Sequence, residues 1–140
     1  MARVNISPRT RKILEELAER IIPSGGPGYP GSQEVALVDR LLERIAVNKL
    51  AVLGLKIVAW SWELSPILLF RFKLFTKMGP DEQTRYLEGW ENSRFMLRRY
   101  ALFGLKAIFL ASFYLQPQVW SKIGYEPGKC FAQSEKGGEN

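Results

Sequence analysis

Histidine is absent from this 140-residue sequence, and cysteine occurs once, at Cys130. The first absence excludes imidazole acid/base catalysis, Ser-His-Asp and Cys-His nucleophilic sites, and His-ligated zinc or haem. The second excludes an intrachain disulfide, Cys-x-x-Cys redox chemistry and thiolate-held clusters. Cys130 itself sits in a Gly/Lys-rich tail and reads as a bystander, since a catalytic thiol wants a basic partner and a pocket. Phosphate-cradling motifs lack their context: Gly26, Gly28 and Gly31 spell Gly-x-Gly-x-x-Gly but follow a helical pattern with no strand before them, and no Gly-x-x-x-x-Gly-Lys-[Ser/Thr] pattern occurs. No long block of Lys or Arg stands out, and no Asn-Gly or Asp-Gly hairpin signal separates alternating apolar residues. Self-contained catalysis is not expected of such a chain.

What is present suits a small globular domain. Apolar residues make up 46% of the chain and charged residues 24%, both ordinary values. The net charge is +6, from 20 basic and 14 acidic residues. That balance fits an anionic partner, and it also lies within the range that plain solubility asks for. Nucleic acid is not expected as the partner, because the aromatics (Trp60, Trp62, Phe70, Phe72, Phe103, Phe109, Phe113) lie inside apolar runs. Stacking platforms would interleave with exposed basic residues instead.

Helical periodicity dominates from end to end. Ser7 and Pro8 form a helix start, and Ile13, Leu14, Leu17, Ala18, Ile21 and Ile22 recur at the spacing of one face. Residues 23–32, PSGGPGYPGS, stop that helix. They read either as an interhelical connector or as a shaped loop offering Tyr29 and backbone amides. Ser32 is a candidate cap for a second helix with Val35, Val38, Leu41 and Leu42 on its apolar face. Residues 50–75 are strongly apolar, with Glu63, Ser65 and Pro66 as interruptions. A bilayer span is disfavoured there by Lys56, Glu63 and Pro66, and a buried helix pair broken at Pro66 is expected. Pro80, Asp81 and Glu82 open a polar helix with Tyr86, Leu87 and Trp90 facing inward. Residues 93–115 form the longest candidate helix, apolar nearly all round in its later part, as in a central core helix or one covered by a partner. Pro117 to Ile123 can add a short helix, with Gly124 in the left-handed cap position. The expected fold is all-α: one small helical domain of about five to six helices over residues 1–128, then a flexible, disordered tail over 129–140.

Two constellations stand out. Arg94 and Arg98 are four residues apart, with Glu91 three before Arg94. They suit a carboxylate or phosphate group, or an internal ion-pair network with Glu88 and Glu91. Glu15, Glu19, Asp39 and Glu43 read as solvated surface. The second feature is hydrophobic supply: residues 50–75 and 100–123 hold more large apolar side chains than one small bundle needs to bury. Such an excess points to a partner interface or a membrane face, and Trp60, Trp62, Tyr100, Tyr114, Trp120 and Tyr125 sit where either would want aromatics.

The segments LAERIIPSGGPGYPG (17–31) and FYLQPQVWSKIGYEPG (113–128) together resemble the opening and closing motifs of the small subunit, subunit 3, of gluconate 2-dehydrogenase-type flavoprotein complexes. The resemblance covers roughly residues 13–128. It implies a non-catalytic subunit that binds, and stabilises or positions, a large GMC-type FAD-dependent dehydrogenase or oxidase. FAD is then expected in the partner and no cofactor or metal in this chain. A cytochrome subunit accompanies some such complexes, and a membrane surface is a further possible partner. Many members carry a twin-arginine signal. Here Arg9 and Arg11 are separated by Thr10 and no apolar leader core follows, so a cytoplasmic or membrane-peripheral location is expected. The interface residues implied are Pro23, Gly28, Tyr29 and Pro30 from the opening and Tyr114, Trp120 and Tyr125 from the closing, with Arg94 and Arg98 added from the basic cluster. Trp120 and Tyr125 could equally be internal plugs. The alternative reading is a membrane-peripheral protein whose apolar and basic helices bind anionic lipid directly.

Overall fold

The computed structural model describes residues 4–28, 30–69 and 71–126. The described residues are all helical in class: α1 (Pro8–Ile21), α2 (Leu37–Ile45), α3 (Lys49–Leu68), a single 3-10 turn (Phe75–Lys77), α4 (Pro80–Glu91), α5 (Met96–Tyr114) and α6 (Pro117–Ile123). Tyr29, Phe70, Cys130 and the tail expected over 129–140 lie outside them.

Helix α1 starts where the sequence indicates. The Ser7 hydroxyl accepts the Thr10 amide at 3.2 Å, and Pro8 occupies the first turn. Ile13, Leu14, Leu17 and Ala18 are wholly buried. This amphipathic helix is the hub of the core, packing against α2, α3, α4, α5 and the 3-10 turn. The more apolar α3 and α5 flank it and are joined through α1 and α2. Of the two readings of the helix over 93–115, a central core helix or one covered by a partner, the first is therefore corrected. α5 buries only the face carrying Leu102, Leu105, Phe109 and Phe113.

Two boundaries differ from the sequence reading, each for a local reason. α2 begins at Leu37 rather than after Ser32, because Ser32 is drawn into a turn: its amide donates to Ile22 O at 3.1 Å and its hydroxyl to Glu19 at 2.7 Å. α3 runs unbroken through Pro66. A proline inside a helix leaves the carbonyl four residues earlier without its donor, and here that carbonyl, Trp62 O, accepts the Ser65 hydroxyl at 2.9 Å. Ser65 Oγ in turn accepts the Tyr86 hydroxyl at 2.7 Å. The proline defect is thereby closed from within the core. Glu63 faces inward and is 0% exposed. Its carboxylate accepts the Thr76 amide at 2.9 Å and the Thr76 hydroxyl at 2.6 Å, with the Arg9 guanidinium 3.9 Å away. It is thus an anchor for the segment after α3, not an interruption of the helix. Further along the chain, α4 and α5 are separate helices, and the Ser93 hydroxyl accepts the Phe95 amide at 3.2 Å in the turn between them.

Both long helices carry a second apolar stripe on the side away from the core. On α3 it is Leu50, Leu53, Ile57, Leu64 and Leu68, and on α5 it is Met96, Tyr100, Phe103, Ile108 and Tyr114. All of these large side chains are exposed. Helical spacing places the α3 set along one face, and Met96, Tyr100, Phe103 and Tyr114 along one face of α5 with Ile108 about a third of a turn aside.

Candidate functional site

The Gly/Pro-rich loop after α1 is a built structure. Glu19, on the last turn of α1, accepts the Ser24 amide at 2.8 Å, the Ser24 hydroxyl at 2.8 Å and the Ser32 hydroxyl at 2.7 Å. One carboxylate thus pinches together the two stems of the loop. Gln33 N donates to Ser24 Oγ at 3.1 Å, and Gly25 N to Glu34 Oε1 at 3.0 Å. The stems approach so closely that a Cβ on Gly31 would lie 2.2 Å from Ser24 Cα, which fixes glycine there. Gly28, with φ +96°, needs glycine for its backbone conformation instead. Burial pushes the Glu19 carboxyl up, but the hydrogen bonds from Ser24 and Ser32 outweigh it and hold the group below the usual carboxylate range.

Across from this loop stand the end of α5 and the short α6. The two sides enclose a cleft of about 420 Å³. Ile21, Ile22, Pro23, Pro27 and Pro30 form one wall, and Leu110, Phe113, Tyr114 and Ile123 the other. The opening and closing sequence segments, some ninety residues apart, therefore meet at one site. Its lining holds a single polar side-chain group, the Tyr114 hydroxyl. Such a cleft can bury an apolar or aromatic side chain; it offers no acid, base or nucleophile for bond chemistry. Among the described residues no three His, Cys, Asp or Glu side chains gather into a metal-sized group.

The residues singled out from the sequence separate into two places. Pro23, Pro30 and Tyr114 line the cleft. Gly28 is exposed on the same loop, and Tyr29 lies outside the described residues. Trp120 and Tyr125 stand behind Tyr114. The Trp120 indole N–H donates to Tyr114 O at 2.6 Å, and the Trp120 and Tyr125 rings meet edge-on with centroids 5.9 Å apart. Trp120 is half-buried and Tyr125 is exposed, so neither is a core plug; the wholly buried residue of α6 is Val119. Arg94 and Arg98 lie at the opposite end of α5, where Arg98 is separated from Tyr114 by about 24 Å of helix at 1.5 Å per residue. They do not share a helical face, because α5 starts at Met96 and Arg94 precedes it. Arg98 stacks over Trp90 and Phe95, with its guanidinium carbon 5.6 and 5.2 Å from the ring centroids. Glu91 pairs with Lys106 at 3.1 Å.

Glu19 is the residue that sequence reasoning passed over. Its position on the polar face of α1 made it look solvated. The available signal was the pair of serines flanking a Gly/Pro loop, two hydroxyls in need of one acceptor. Comparison with protein families, with curated proteins and with solved structures gives no match for this chain.

Proposed function

We propose that this chain is a non-catalytic small subunit that docks on a large GMC-type FAD-dependent dehydrogenase or oxidase and stabilises or positions it. The carrying observation is convergence. The two segments that resemble the small-subunit family build the two walls of one apolar cleft. The chemistry of the lining supports the same reading, since it suits capture of an apolar side chain from a partner. Aromatic anchors seated in such pockets carry most of an interface's affinity. FAD belongs to the partner in this reading, and the location is cytoplasmic or membrane-peripheral.

The test is retention of the flavoprotein on the tagged chain from its native source, scored by the visible flavin absorbance of the eluate. Truncating Tyr114 and Ile123 together to alanine should weaken retention at least tenfold, as loss of interface anchors does. Both side chains are exposed, so the thermal unfolding of the free chain should stay unchanged. An eluate without flavin, or retention undiminished in the double variant, would overturn the proposal.

A further inference from the structure

A second surface lies at the other end of α5 and does not depend on the cleft. Phe95, Met96, Leu97, Tyr100 and Phe103 are all largely exposed, Leu97 by 81%. Phe95, Met96 and Leu97 are consecutive, so they project in different directions around the helix start. Arg94 and Arg99 are exposed beside them, and Lys106 follows one turn further on. From Asn92 to Tyr125 the chain has no acidic residue and five basic ones, Arg94, Arg98, Arg99, Lys106 and Lys122. Four of these, Arg94, Arg98, Arg99 and Lys106, lie in the part of the segment that shows these apolar side chains. The acid at the edge of the patch, Glu91, is engaged by Lys106. Between these elements a cleft of about 330 Å³ is lined by Arg99, Tyr100, Phe103 and Lys106 among others.

We infer that this end of α5 is a docking surface for an anionic lipid bilayer, with Phe95 and Leu97 entering the boundary of headgroups and acyl chains and Arg94 and Arg99 meeting the phosphates. Charge and shape both select this occupant. Interfacial helices combine large apolar residues with cations of one sign. Apolar side chains splayed around a helix end fit a fluid medium that closes on them from several sides. A second copy of the chain is disfavoured, because a two-fold contact through this patch would set clustered arginines against their own copies. Tyr100 is placed as an interfacial aromatic, its ring in the apolar zone and its hydroxyl at the headgroups.

Sedimentation of the whole chain with vesicles of phosphatidylcholine, with and without phosphatidylglycerol, tests this in the absence of any protein partner. Binding should require phosphatidylglycerol and weaken as salt is added. Arg94→Ala with Arg99→Ala should lower the partition coefficient about 30-fold, at about fivefold for each arginine. Phe95→Ala with Leu97→Ala should abolish the binding that survives at high salt. Leu53→Ala, on the outer face of α3, should bind as the unaltered chain does. Circular dichroism should be the same for all variants, since every altered side chain is exposed. Equal binding to neutral vesicles, no binding, or variants indistinguishable from the parent would overturn the inference. So would a dimer in light scattering that the Phe95/Leu97 variant dissociates. None of these outcomes bears on flavoprotein retention, which is read on different residues.

Discussion

Glu19 holds the loop of residues 23–32 through three donors, two from Ser24 and one from Ser32. Hydrogen bonds to a charged acceptor are stronger than neutral ones, so the latch depends on ionisation. Because the Glu19 carboxyl titrates below its ordinary range, its contribution is fully present above the unfolded-state carboxylate range. It is lost as pH falls through the lower, folded-state value. The Ser24 amide should accordingly be protected from hydrogen exchange at neutral pH and lose that protection only in acid below the ordinary glutamate range. In Glu19→Gln the protection should be weak and independent of pH. Because the group is partly solvated, the substitution should cost only about 1 kcal/mol of stability in denaturant titration. A pH profile unchanged by Glu19→Gln would show that the loop is held by its packing alone.

Among the elements, α3 shows how a helix tolerates a proline. Pro66 removes one donor, and the Ser65 hydroxyl fills the vacancy at Trp62 O while accepting from Tyr86. Burial pushes the Tyr86 hydroxyl above the usual phenol range, so it remains protonated and available as a donor. Ser65→Ala should leave a buried carbonyl and a buried phenol without partners, costing about 2 kcal/mol. Tyr86→Phe should cost less, because it leaves the Ser65 bond to Trp62 O intact. In Ser65→Ala/Tyr86→Phe the total should fall short of the sum of the single effects, since one bond is counted in both. Urea titrations of the four proteins check this. Strict additivity would mean that the two hydroxyls are not coupled. The sequence could not reveal this repair, because Ser65 and Tyr86 are 21 residues apart and only the packing of α4 on α3 joins them. It did reveal the helices themselves. The Ser7-Pro8 start, the Gly79-Pro80 restart and the left-handed Gly124 cap at φ +70° follow from local steric and capping rules that need no tertiary context.

At the scale of the whole molecule, the apolar supply exceeds what the core uses. The core is centred on α1, and the two most apolar helices each turn one side to it and one side outward. α3 is also long and apolar enough to cross a membrane by length and composition. Its exposed stripe predicts self-association of the isolated chain. Leu53→Lys with Ile57→Lys should shift gel filtration toward the monomer. It should leave the unfolding free energy within about 0.5 kcal/mol, as for other surface changes that touch no partner. A loss of several kcal/mol would mean that this stripe belongs to the core.

The sequence by itself determined the helical class, nearly every helix and the surplus of apolar side chains, because each is fixed by spacing along the chain. Only the tertiary structure decided which helix is central, since two apolar helices and one amphipathic helix compete for the same interior and no local rule ranks them. Only the tertiary structure brought the Gly/Pro loop against Tyr114 and set Arg94 and Arg98 at the far end of α5. Contacts between residues some ninety positions apart depend on how the helices pack, and packing is a property of the assembled core.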